Sequence, residues 1–405
     1  MTESGVPARR RIARVIARLN IGGPAIQAMS LSRRLRPFGF DTVLLYGRLA
    51  QGEGDMSYLL GEEAVTCHVP TLGRPVAPLD DLRACWQLYR FFCRFRPQIV
   101  HTHTAKAGAV GRLAAIGYNL TAGRRDPARL VHTYHGHVFD GYFGSTSTDI
   151  FIAIERWLAK RTDALIAISP QIRIDIRDTY RIARDRQVRT VPLGFDLEPF
   201  LSIDDRARVR ARAALGIGPD ERVVTTVGRL TEIKRHDLFV RMAQLLSGRT
   251  SGVRFLIVGD GELRQQLETL AAGCGVRASV MFLGWRADLT TIYGATDVFA
   301  LTSRNEGTPV ALIEAMASGV PGVSTDVGGV RDVVVSRDVG VLVPFGDGEA
   351  LAGAIGDLLA SPERRRRMGE SARTEVRVRY HLDRLLSDLT GLYDELLSRG
   401  SPPGA

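Results

Sequence analysis

The chain has 405 residues, of which 45% are hydrophobic and 24% charged, and its formal net charge at pH 7 is +10. This length predicts two domains of roughly 200 residues each, and the composition is that of an ordinary globular protein. No run approaches the roughly 18 uninterrupted apolar residues of a membrane-spanning helix, so the sequence predicts none.

Cysteine usage and the start of the chain predict a cytoplasmic location. The four cysteines form no CxxC pair, and a chain of this kind is expected to keep them as thiols. Residues 1–11 are basic, but no apolar core follows them, so no secretory signal is predicted.

The positive charge is placed unevenly along the chain. Residues 1–200 hold 28 Lys and Arg against 18 Asp and Glu, whereas residues 201–405 hold 26 of each. A basic first half favours an acidic partner, which could be a phosphorylated acceptor, an anionic membrane surface or nucleic acid. Only three positions are lysine, so genome base composition is an alternative reason for the arginines. It does not explain the difference between the halves.

The first half alternates strand-like and helix-like runs, which predicts a doubly wound α/β domain with a mostly parallel sheet. The predicted strands cover residues 13–19, 41–46, 65–69, 98–101, 129–133 and 164–168, and the helices 25–35, 80–95, 106–117 and 149–160. Residues 191–200 contain two prolines and a glycine and are predicted to link the domains.

The alternation restarts after this linker and predicts a second domain of the same class. Its strands cover residues 223–227, 254–258, 280–282, 298–301, 322–324 and 340–343, and its helices 235–246, 262–272, 288–295, 310–318 and 349–360. A last helix is predicted at 382–397, after a basic stretch at 364–367, and residues 401–405 look disordered. The predicted domains are 1–192 and 193–378, with 379–400 as a separate helix.

A glycine pair follows the first predicted strand and opens a helix. Gly22 and Gly23 would let a phosphate or a sugar approach the backbone closely. The pattern is not GxGxxG, so it does not favour a dinucleotide.

Five of the eight histidines lie between residues 101 and 137 and follow two predicted strands: His101, His103, His132, His135 and His137. We therefore expect a site at the carboxyl edge of the sheet. Histidine clusters also bind zinc, but no Asp, Glu or Cys accompanies these at ligand spacing, and the metal interpretation is disfavoured. Lys106 and Arg112 follow on a helix, where they either hold an acceptor phosphate or coat its outer face.

Two cations follow the first strand of the second domain. Gly228 ends that strand, and Arg229 and Lys234 lie five residues apart. Such a pair suits a diphosphate, whose charge must be neutralised as it departs. The alternative is two solvated side chains on a loop. The later glycine turn around Gly259 is a weak signal, because α/β folds also need such glycines for packing.

Residues 303–319 carry the most informative pattern. Gly307 and Thr308 end a loop, Pro309 fits the first helical position, Val310 continues the helix, and Gly319 is a natural stop. The free amides of residues 307–310 and the positive end of the helix dipole favour an anion, most often a phosphate. A capped helix after a polar loop is the alternative.

Two carboxylates, Glu306 and Glu314, flank this expected anion site. Because carboxylates repel a phosphate, they are more plausible as hydroxyl acceptors for a sugar or a ribose. The segment therefore predicts a sugar-nucleotide site.

The same segment, Glu306-x7-Glu314 with Gly-Thr-Pro between, resembles the signature of the GT-B glycosyltransferases of family 4. This is the large retaining group, also called group 1, which serves bacterial polysaccharide and glycoconjugate synthesis. The resemblance extends over nearly the whole chain. It implies two Rossmann-like domains facing a central cleft, with the nucleotide sugar on the second, the acceptor on the first, and the C-terminal helix packing back on the first.

The resemblance also implies roles for particular residues of the second domain. Arg229 and Lys234 would hold the donor diphosphate, Glu306 would orient the donor sugar, and Glu314 would accept hydrogen bonds from the ribose. Trp285 stands where the family holds the nucleotide base, although it could equally lie at the edge of the hydrophobic core.

In the first domain, the glycine pair resembles the loop that closes over the donor phosphates. The chain departs from the family at Pro24, where the family often has an acidic residue. His135 would line the reacting sugar, and His103 would lie on the acceptor side with Lys106 and Arg112. His101 and His132 are expected to face away.

The resemblance implies glycosyl transfer with retained configuration and without a metal. No DxD motif lies on a plausible loop, which agrees with a metal-independent enzyme, and no enzymic nucleophile is evident. The expected donor is a UDP-sugar, and the expected acceptor is a lipid-linked saccharide at the inner membrane face. Glycosylation of a soluble small molecule and a UDP-sugar 2-epimerase remain alternatives. A nucleic-acid binder is disfavoured, since no interleaved aromatic pattern accompanies the basic residues.

Overall fold

The computed structural model describes residues 9–20, 22–50, 53–61, 64–73, 75–136 and 145–399, without the side chains of residues 58, 59 and 145–148. The chain divides into two compact units. The first runs to Phe195 and resumes at Leu382, and the second comprises Asp196–His381. The sequence placed both divisions three residues earlier. The C-terminal tail predicted to be disordered lies outside the described residues.

The first unit contains a seven-stranded parallel sheet in the order β3-β2-β1-β4-β5-β6-β7. The strands are β1 Arg10–Ile16, β2 Phe40–Tyr46, β3 Val65–His68, β4 Ile99–His103, β5 Arg129–Tyr134, β6 Ala164–Ala167 and β7 Val188–Thr190. The helices are α1 Gly23–Arg34, α2 Pro78–Phe95, α3 Ala105–Leu120, α4 Ser145–Ala159, α5 Pro170–Ile174 and, from the C-terminal segment, α15 Leu382–Ser398. Short 3-10 turns cover Arg36–Phe38, Ser57–Leu60 and Asp185–Gln187, and a π turn covers Asp175–Thr179.

Helices cover both faces of this sheet, which is why β4 is buried along its whole length. On one face, α2 and α3 supply Leu88, Phe92 and Ala115 to the core. On the other face lies α15, whose buried residues recur at helical spacing: Leu382, Leu385, Leu386, Leu389, Leu392, Tyr393 and Leu396. The C-terminal helix thus belongs to the core of the first unit.

The second unit contains a six-stranded parallel sheet in the order β10-β9-β8-β11-β12-β13. The strands are β8 Arg222–Val227, β9 Val253–Val258, β10 Val280–Gly284, β11 Val298–Leu301, β12 Gly322–Thr325 and β13 Gly340–Val343. The helices are α6 Glu198–Leu201, α7 Asp205–Ala214, α8 His236–Ser247, α9 Arg264–Gly273, α10 Leu289–Ala295, α11 Val310–Ala317, α12 Val330–Val333, α13 Gly348–Ala360 and α14 Pro362–Tyr380, and a 3-10 turn covers Glu232–Lys234.

Both sheets reverse their strand order at one point, between β1 and β4 in the first unit and between β8 and β11 in the second. The predicted pair of doubly wound parallel domains is therefore confirmed. In open α/β sheets, ligands bind outside the carboxyl ends of the strands at such a reversal. The loops that follow these strands are therefore the expected ligand-binding region of each unit.

The sequence prediction missed strand β7, helices α7 and α14, and the short helices α5, α6 and α12. The arginine-rich helix α14 buries only a narrow stripe, which includes Met368, Ala372 and Val376. It also contains Gly369, which sequence reading takes as unfavourable to a helix. A Cβ at Gly369 would lie 2.1 Å from the carbonyl oxygen of Gly319, so glycine allows α14 to approach the end of α11.

None of the described helices combines the length and the apolar composition that a membrane-spanning segment needs.

Candidate active site

In the second unit, the loop after β11 leads into α11 and holds Glu306 in a nearly buried position. Lys234 Nζ and Ser303 Oγ each lie 2.6 Å from Glu306 Oε1. The side chains of Lys234 and Glu306 are 25% and 8% exposed. Charge-assisted hydrogen bonds of this length are the strong ones, so they fix the carboxylate in one orientation. The structure thus brings two predicted site residues together and adds Ser303, which the sequence analysis missed.

The start of α11 differs from the prediction. Pro309 has φ −77° and ψ 79°, so it caps the helix, and the first helical residue is Val310. The amide of Val310 donates to the Thr308 carbonyl at 2.9 Å, which removes it from the amides expected to face an anion. Among the described residues, the amides of Gly307 and Thr308 meet no acceptor. The predicted stop is confirmed, since Gly319 has φ +72° just beyond the helix end.

Two glycines of the loop after β12 support the backbone of this segment. The amide of Gly329 donates to the Glu306 carbonyl at 2.8 Å. A Cβ on Gly329 would lie 1.9 Å from the Gly307 carbonyl oxygen, and one on Gly328 would lie 2.2 Å from that of Glu306. Any side chain at either position would therefore displace the loop that carries Glu306.

Glu314 lies on α11, where Tyr293 of α10 donates its hydroxyl proton to Glu314 Oε2 at 3.0 Å. Burial raises the pKa of Glu314 to about 7, although the Tyr293 hydrogen bond acts in the opposite direction. A carboxylate in this state gains from further hydroxyl donors, such as those of a ribose. Tyr293 was missed because nothing in the spacing of 21 residues indicates the contact.

Arg229 is exposed at the end of β8, and its backbone is fixed by two neighbours. His236, buried at the start of α8, places its Nε2 3.2 Å from the Arg229 carbonyl oxygen. Burial lowers the pKa of His236 to about 4, so its imidazole is neutral and donates to this carbonyl. On the other side, Gly259 has φ +135°, and a Cβ there would lie 2.0 Å from the Gly228 carbonyl oxygen. The glycine turn at 259 therefore serves packing.

Trp285 follows the edge strand β10 with 61% of its surface exposed. Because most of its surface is exposed, Trp285 is not part of the edge of the hydrophobic core. Contact with a nucleotide base stays a prediction.

In the first unit, Gly22 caps α1 and Gly23 is the first residue of that helix, which follows β1 at the carboxyl edge of the sheet. The first turn of α1 contains no acidic residue, and α1 has Pro24 in its first turn. A Cβ on Gly23 would lie 3.2 Å from a methyl group of Leu193, so this glycine also serves close packing. Contact of either glycine with a phosphate stays a prediction.

Three histidines in β4 and just after β5 lie together, and we call them the histidine cluster: His101, His103 and His135. His137 lies outside the described residues. The prediction that His101 faces away from His103 is wrong. Residues two apart on a strand share a face, and the two rings stack with centroids 4.4 Å apart. His132 does face the other way, against Gly108 of α3 and Thr102.

Two of the three predicted acceptor residues are fully buried, His103 and Arg112. His103 is fully buried, and both of its ring nitrogens are occupied, Nε2 by Arg14 and Nδ1 by His135. Arg112 is also fully buried, and its guanidinium lies 2.7 Å from both carboxylate oxygens of Glu155, so it neither contacts an acceptor nor coats the helix. Lys106 is mostly buried and pairs with Asp81. Burial therefore contradicts the acceptor roles of His103 and Arg112, whereas contact of Lys106 with an acceptor stays a prediction.

His135 is the histidine of the cluster that retains some exposure, at the end of β5. Burial, with a smaller contribution from Arg14, lowers its pKa to about 3, so the ring is neutral. Across the part of the chain that the structure describes, no group of three or more His, Cys, Asp or Glu is arranged to hold a metal ion. Both ring nitrogens of His101 and His103, and Nε2 of His135, are used in hydrogen bonds.

Comparison with known proteins gives matches along both units. A family model described as "Glycosyltransferase Family 4" matches residues 21–199, and one described as "Glycosyl transferases group 1" matches residues 208–375. The chain is 28% identical over 311 residues to the UDP-Gal:alpha-D-GlcNAc-diphosphoundecaprenol alpha-1,3-galactosyltransferase of Escherichia coli, covering 76% of this chain and 78% of that protein. It is 32% identical over 315 residues to the D-inositol 3-phosphate glycosyltransferase of Xylanimonas cellulosilytica, covering 74% and 72%.

A solved structure extends the comparison to the fold. The structure of Anabaena HepE in complex with UDP matches with a TM-score of 0.78 and 20% identity, covering 95% of this chain and 100% of that one. At this identity the match shows a shared fold.

Proposed function

The chain belongs to family 4 of the glycosyltransferases, the group 1 enzymes with the GT-B fold, and we propose that it moves a sugar from a UDP-sugar to an acceptor with retained configuration. The observation that carries the proposal is the position of Glu306. Lys234 and Ser303 both bind its Oε1 at 2.6 Å. Neither contact uses Oε2, which remains an acceptor for a hydroxyl of the donor sugar.

The leaving diphosphate is stabilised by positive charge and by backbone amides. Arg229 is exposed at the end of β8, and Lys234 offers two further N–H groups beyond the one that meets Glu306. The amides of Gly307 and Thr308 add donors that cost no reorganisation when the bond breaks. This arrangement would neutralise the departing charge without a metal cofactor.

Retention follows from attack on the face that the diphosphate leaves. The bond between the anomeric carbon and the diphosphate oxygen breaks, and UDP departs with the electron pair. The acceptor oxygen forms the new bond on the same face, and a phosphate oxygen of the donor takes its proton. In this mechanism Glu306 orients the donor sugar through Oε2 and does not act as a nucleophile, while Lys234 and Ser303 hold its Oε1.

Two of the similar proteins favour a UDP-sugar over other nucleotide sugars. The E. coli relative is a UDP-Gal transferase, and the Anabaena structure contains UDP. On this chain, Glu314 would accept hydrogen bonds from the ribose, Trp285 would contact the base, and His135 would contact the reacting sugar.

A lipid-linked saccharide is the proposed acceptor, as in the name of the E. coli relative. Helix α2 offers a surface that suits this substrate. Its outward side carries Leu79, Leu82 and Trp86, which are 73%, 69% and 56% exposed. Arg90, whose guanidinium lies 4.6 Å from the Trp86 ring centroid, and Arg94 share that side. Leu and Trp beside arginines are typical of helices that lie in the interface of an anionic membrane.

Helix α4 repeats this pattern. It exposes Ile150, Ile154 and Trp157 at helical spacing, and Arg161 lies 4.1 Å from the Trp157 ring centroid. We propose that these two helices hold the enzyme at the inner face of the membrane. Vesicle flotation tests this point. Wild-type protein should float with vesicles that contain an anionic lipid, and Trp86→Ser with Leu82→Ser should reduce the floating fraction. Equal binding to neutral vesicles, or no effect of the variant, would contradict it.

A soluble phosphorylated acceptor is the second candidate, because the inositol phosphate transferase shares the higher identity of the two relatives, 32% against 28%. A panel of UDP-, GDP- and dTDP-sugars, offered without acceptor, tests the proposal itself. We expect tight binding of one UDP-sugar with slow release of its sugar, and weaker binding by Glu314→Ala. Conversion to another nucleotide sugar would indicate the 2-epimerase. No binding would refute the proposal.

A further inference from the structure

Arg14 in the middle of β1 is a fully buried arginine without a carboxylate partner. Its Nη1 lies 3.0 Å from both His101 Nδ1 and His103 Nε2, and its Nη2 donates to Tyr393 Oη at 3.2 Å. None of its hydrogen-bond partners among the described residues carries a negative charge. The other fully buried arginine, Arg112, meets a carboxylate instead. A buried cation without a counter-charge is costly, so Arg14 calls for an explanation other than stability.

The guanidinium fixes the direction of a chain of hydrogen bonds. It carries donors only, so the atom facing it on His103, Nε2, must offer a lone pair. The proton of a neutral His103 is then on Nδ1, which lies 2.9 Å from His135 Nε2. That nitrogen must in turn accept, which leaves the proton of His135 on Nδ1. Burial lowers the pKa of both histidines, so neither ring carries a second proton at neutral pH.

The chain ends at a donor without an acceptor. His135 Nδ1 is shielded from solvent and has no hydrogen-bond partner in the part of the chain that the structure describes. Buried donors are rarely left unpaired, because an unmade hydrogen bond costs free energy. His135 directly follows β5, at the carboxyl edge where α/β sheets bind ligands. His135 Nδ1 is therefore well placed to donate a hydrogen bond to an oxygen of the substrate.

We propose that Arg14 is a positioning residue that acts through His103 to hold the proton of His135 on Nδ1, so that His135 donates a hydrogen bond to a hydroxyl oxygen of the donor sugar. The proposal rests on the proposed function for the identity of that ligand. A neutral N–H suits a neutral hydroxyl, whereas an imidazolium would attract the diphosphate instead.

The remaining contacts keep the guanidinium in place. Tyr393 reaches Arg14 from α15, and its hydroxyl also lies 2.6 Å from His101 Nδ1. His101 Nε2 lies 2.8 Å from Thr133 Oγ1, so its proton can rest on that nitrogen. Through Tyr393, the C-terminal helix thereby supports the orientation of His135, a residue in a distant part of the chain.

Nitrogen NMR of protein labelled with 15N-histidine tests the proposal, since it distinguishes Nδ1–H from Nε2–H rings. The His135 signals are assigned by their loss in His135→Gln, among eight histidines in total. The unliganded wild type should show His135 as neutral Nδ1–H. Because this measurement needs neither substrate nor a relay variant, its outcome is independent of the proposed function. An Nε2–H His135 in the wild type would overturn the proposal.

Two substitutions at one position then test the relay. His103→Gln keeps an acceptor for Arg14 and a donor for His135, so the His135 proton should stay on Nδ1. His103→Leu removes both, and His135 should shift toward Nε2–H with a fall in kcat for sugar release of about tenfold or more. UDP affinity should stay within about twofold in both variants, because its proposed contacts lie in the second unit. Thr102→Val, which removes the partner of His132 on the opposite face of the sheet, is the control. An unchanged His135 tautomer in His103→Leu would contradict the relay.

Discussion

Replacing Glu314 with glutamine should abolish a pH dependence of donor binding that the wild type shows. Burial raises the pKa of Glu314 to about 7 in the unliganded protein. Hydrogen bonds from ribose hydroxyls favour the ionised form, so they lower this pKa in the complex. Binding therefore releases a proton, and affinity rises with pH until the free carboxyl is fully ionised.

The size of the effect follows from the free pKa. With a pKa of about 7, roughly 9% of the carboxyl is ionised at pH 6 and roughly 91% at pH 8. If the ribose needs the ionised form, the affinity for a UDP-sugar should rise about tenfold across this interval, which corresponds to about 1.4 kcal/mol. A UDP-sugar suits the test, because its diphosphate is doubly esterified and does not titrate near neutral pH.

Isothermal titration calorimetry measures both quantities. Titration of a UDP-sugar at pH 6, 7 and 8 gives the affinities, and buffers with different ionisation enthalpies give the number of protons released. The Glu314→Gln variant keeps the shape and the Tyr293 contact and should bind with nearly constant affinity. A wild-type affinity that does not change with pH, or a glutamine variant that keeps the wild-type slope, would refute the assignment of Glu314 to the ribose.

Three further perturbations have expected outcomes. Lys234→Met leaves Glu306 nearly buried without its cation, so kcat should fall by about 10²–10³-fold, whereas Lys234→Arg should retain more activity in a sugar-release assay. Acid should destabilise the first unit, because His135 has a pKa of about 3 in the folded protein and stays neutral there. Its contribution to the unfolding free energy should fall by about 1.4 kcal/mol per pH unit as the pH drops from 6.5 toward 3. Denaturant titration at each pH measures this loss. Arg112→Met should cost about 3–5 kcal/mol of unfolding free energy, because it leaves the Glu155 carboxylate unpaired. Adding Glu155→Leu to this variant should restore much of that free energy. Equal stability of the single and double variants would contradict the buried ion pair.

The fold was largely predictable because parallel sheets covered on both faces read as short apolar runs separated by helical periods. Strands such as β8 and β9 are buried along most of their length and were found to within a residue. The elements that were missed lack this signal. Helix α14 is dominated by charged residues, and its packing depends on Gly369 approaching the Gly319 carbonyl, a contact that no local pattern reveals.

The candidate site was predictable as a set of residues but not as a network. The sequence placed Glu306 and Lys234 in separate roles, whereas the structure joins them by an ion pair across 72 positions. The sequence did not indicate a role for Arg14, because its partner Tyr393 lies 379 positions away. Spacing along the chain reports which face of an element a residue occupies, but not which distant side chain it meets. His101 is different, because the two-residue period of a strand already places it beside His103.

Transfer with retention can be tested on the sugar that the enzyme releases to water. An α-linked UDP-sugar is incubated with the enzyme without acceptor, and proton NMR follows the anomeric signals before the sugar equilibrates in solution. We predict that the α anomer appears first. We also predict that Lys234→Met releases the sugar about a hundredfold more slowly than the wild type. The β anomer appearing first would contradict it.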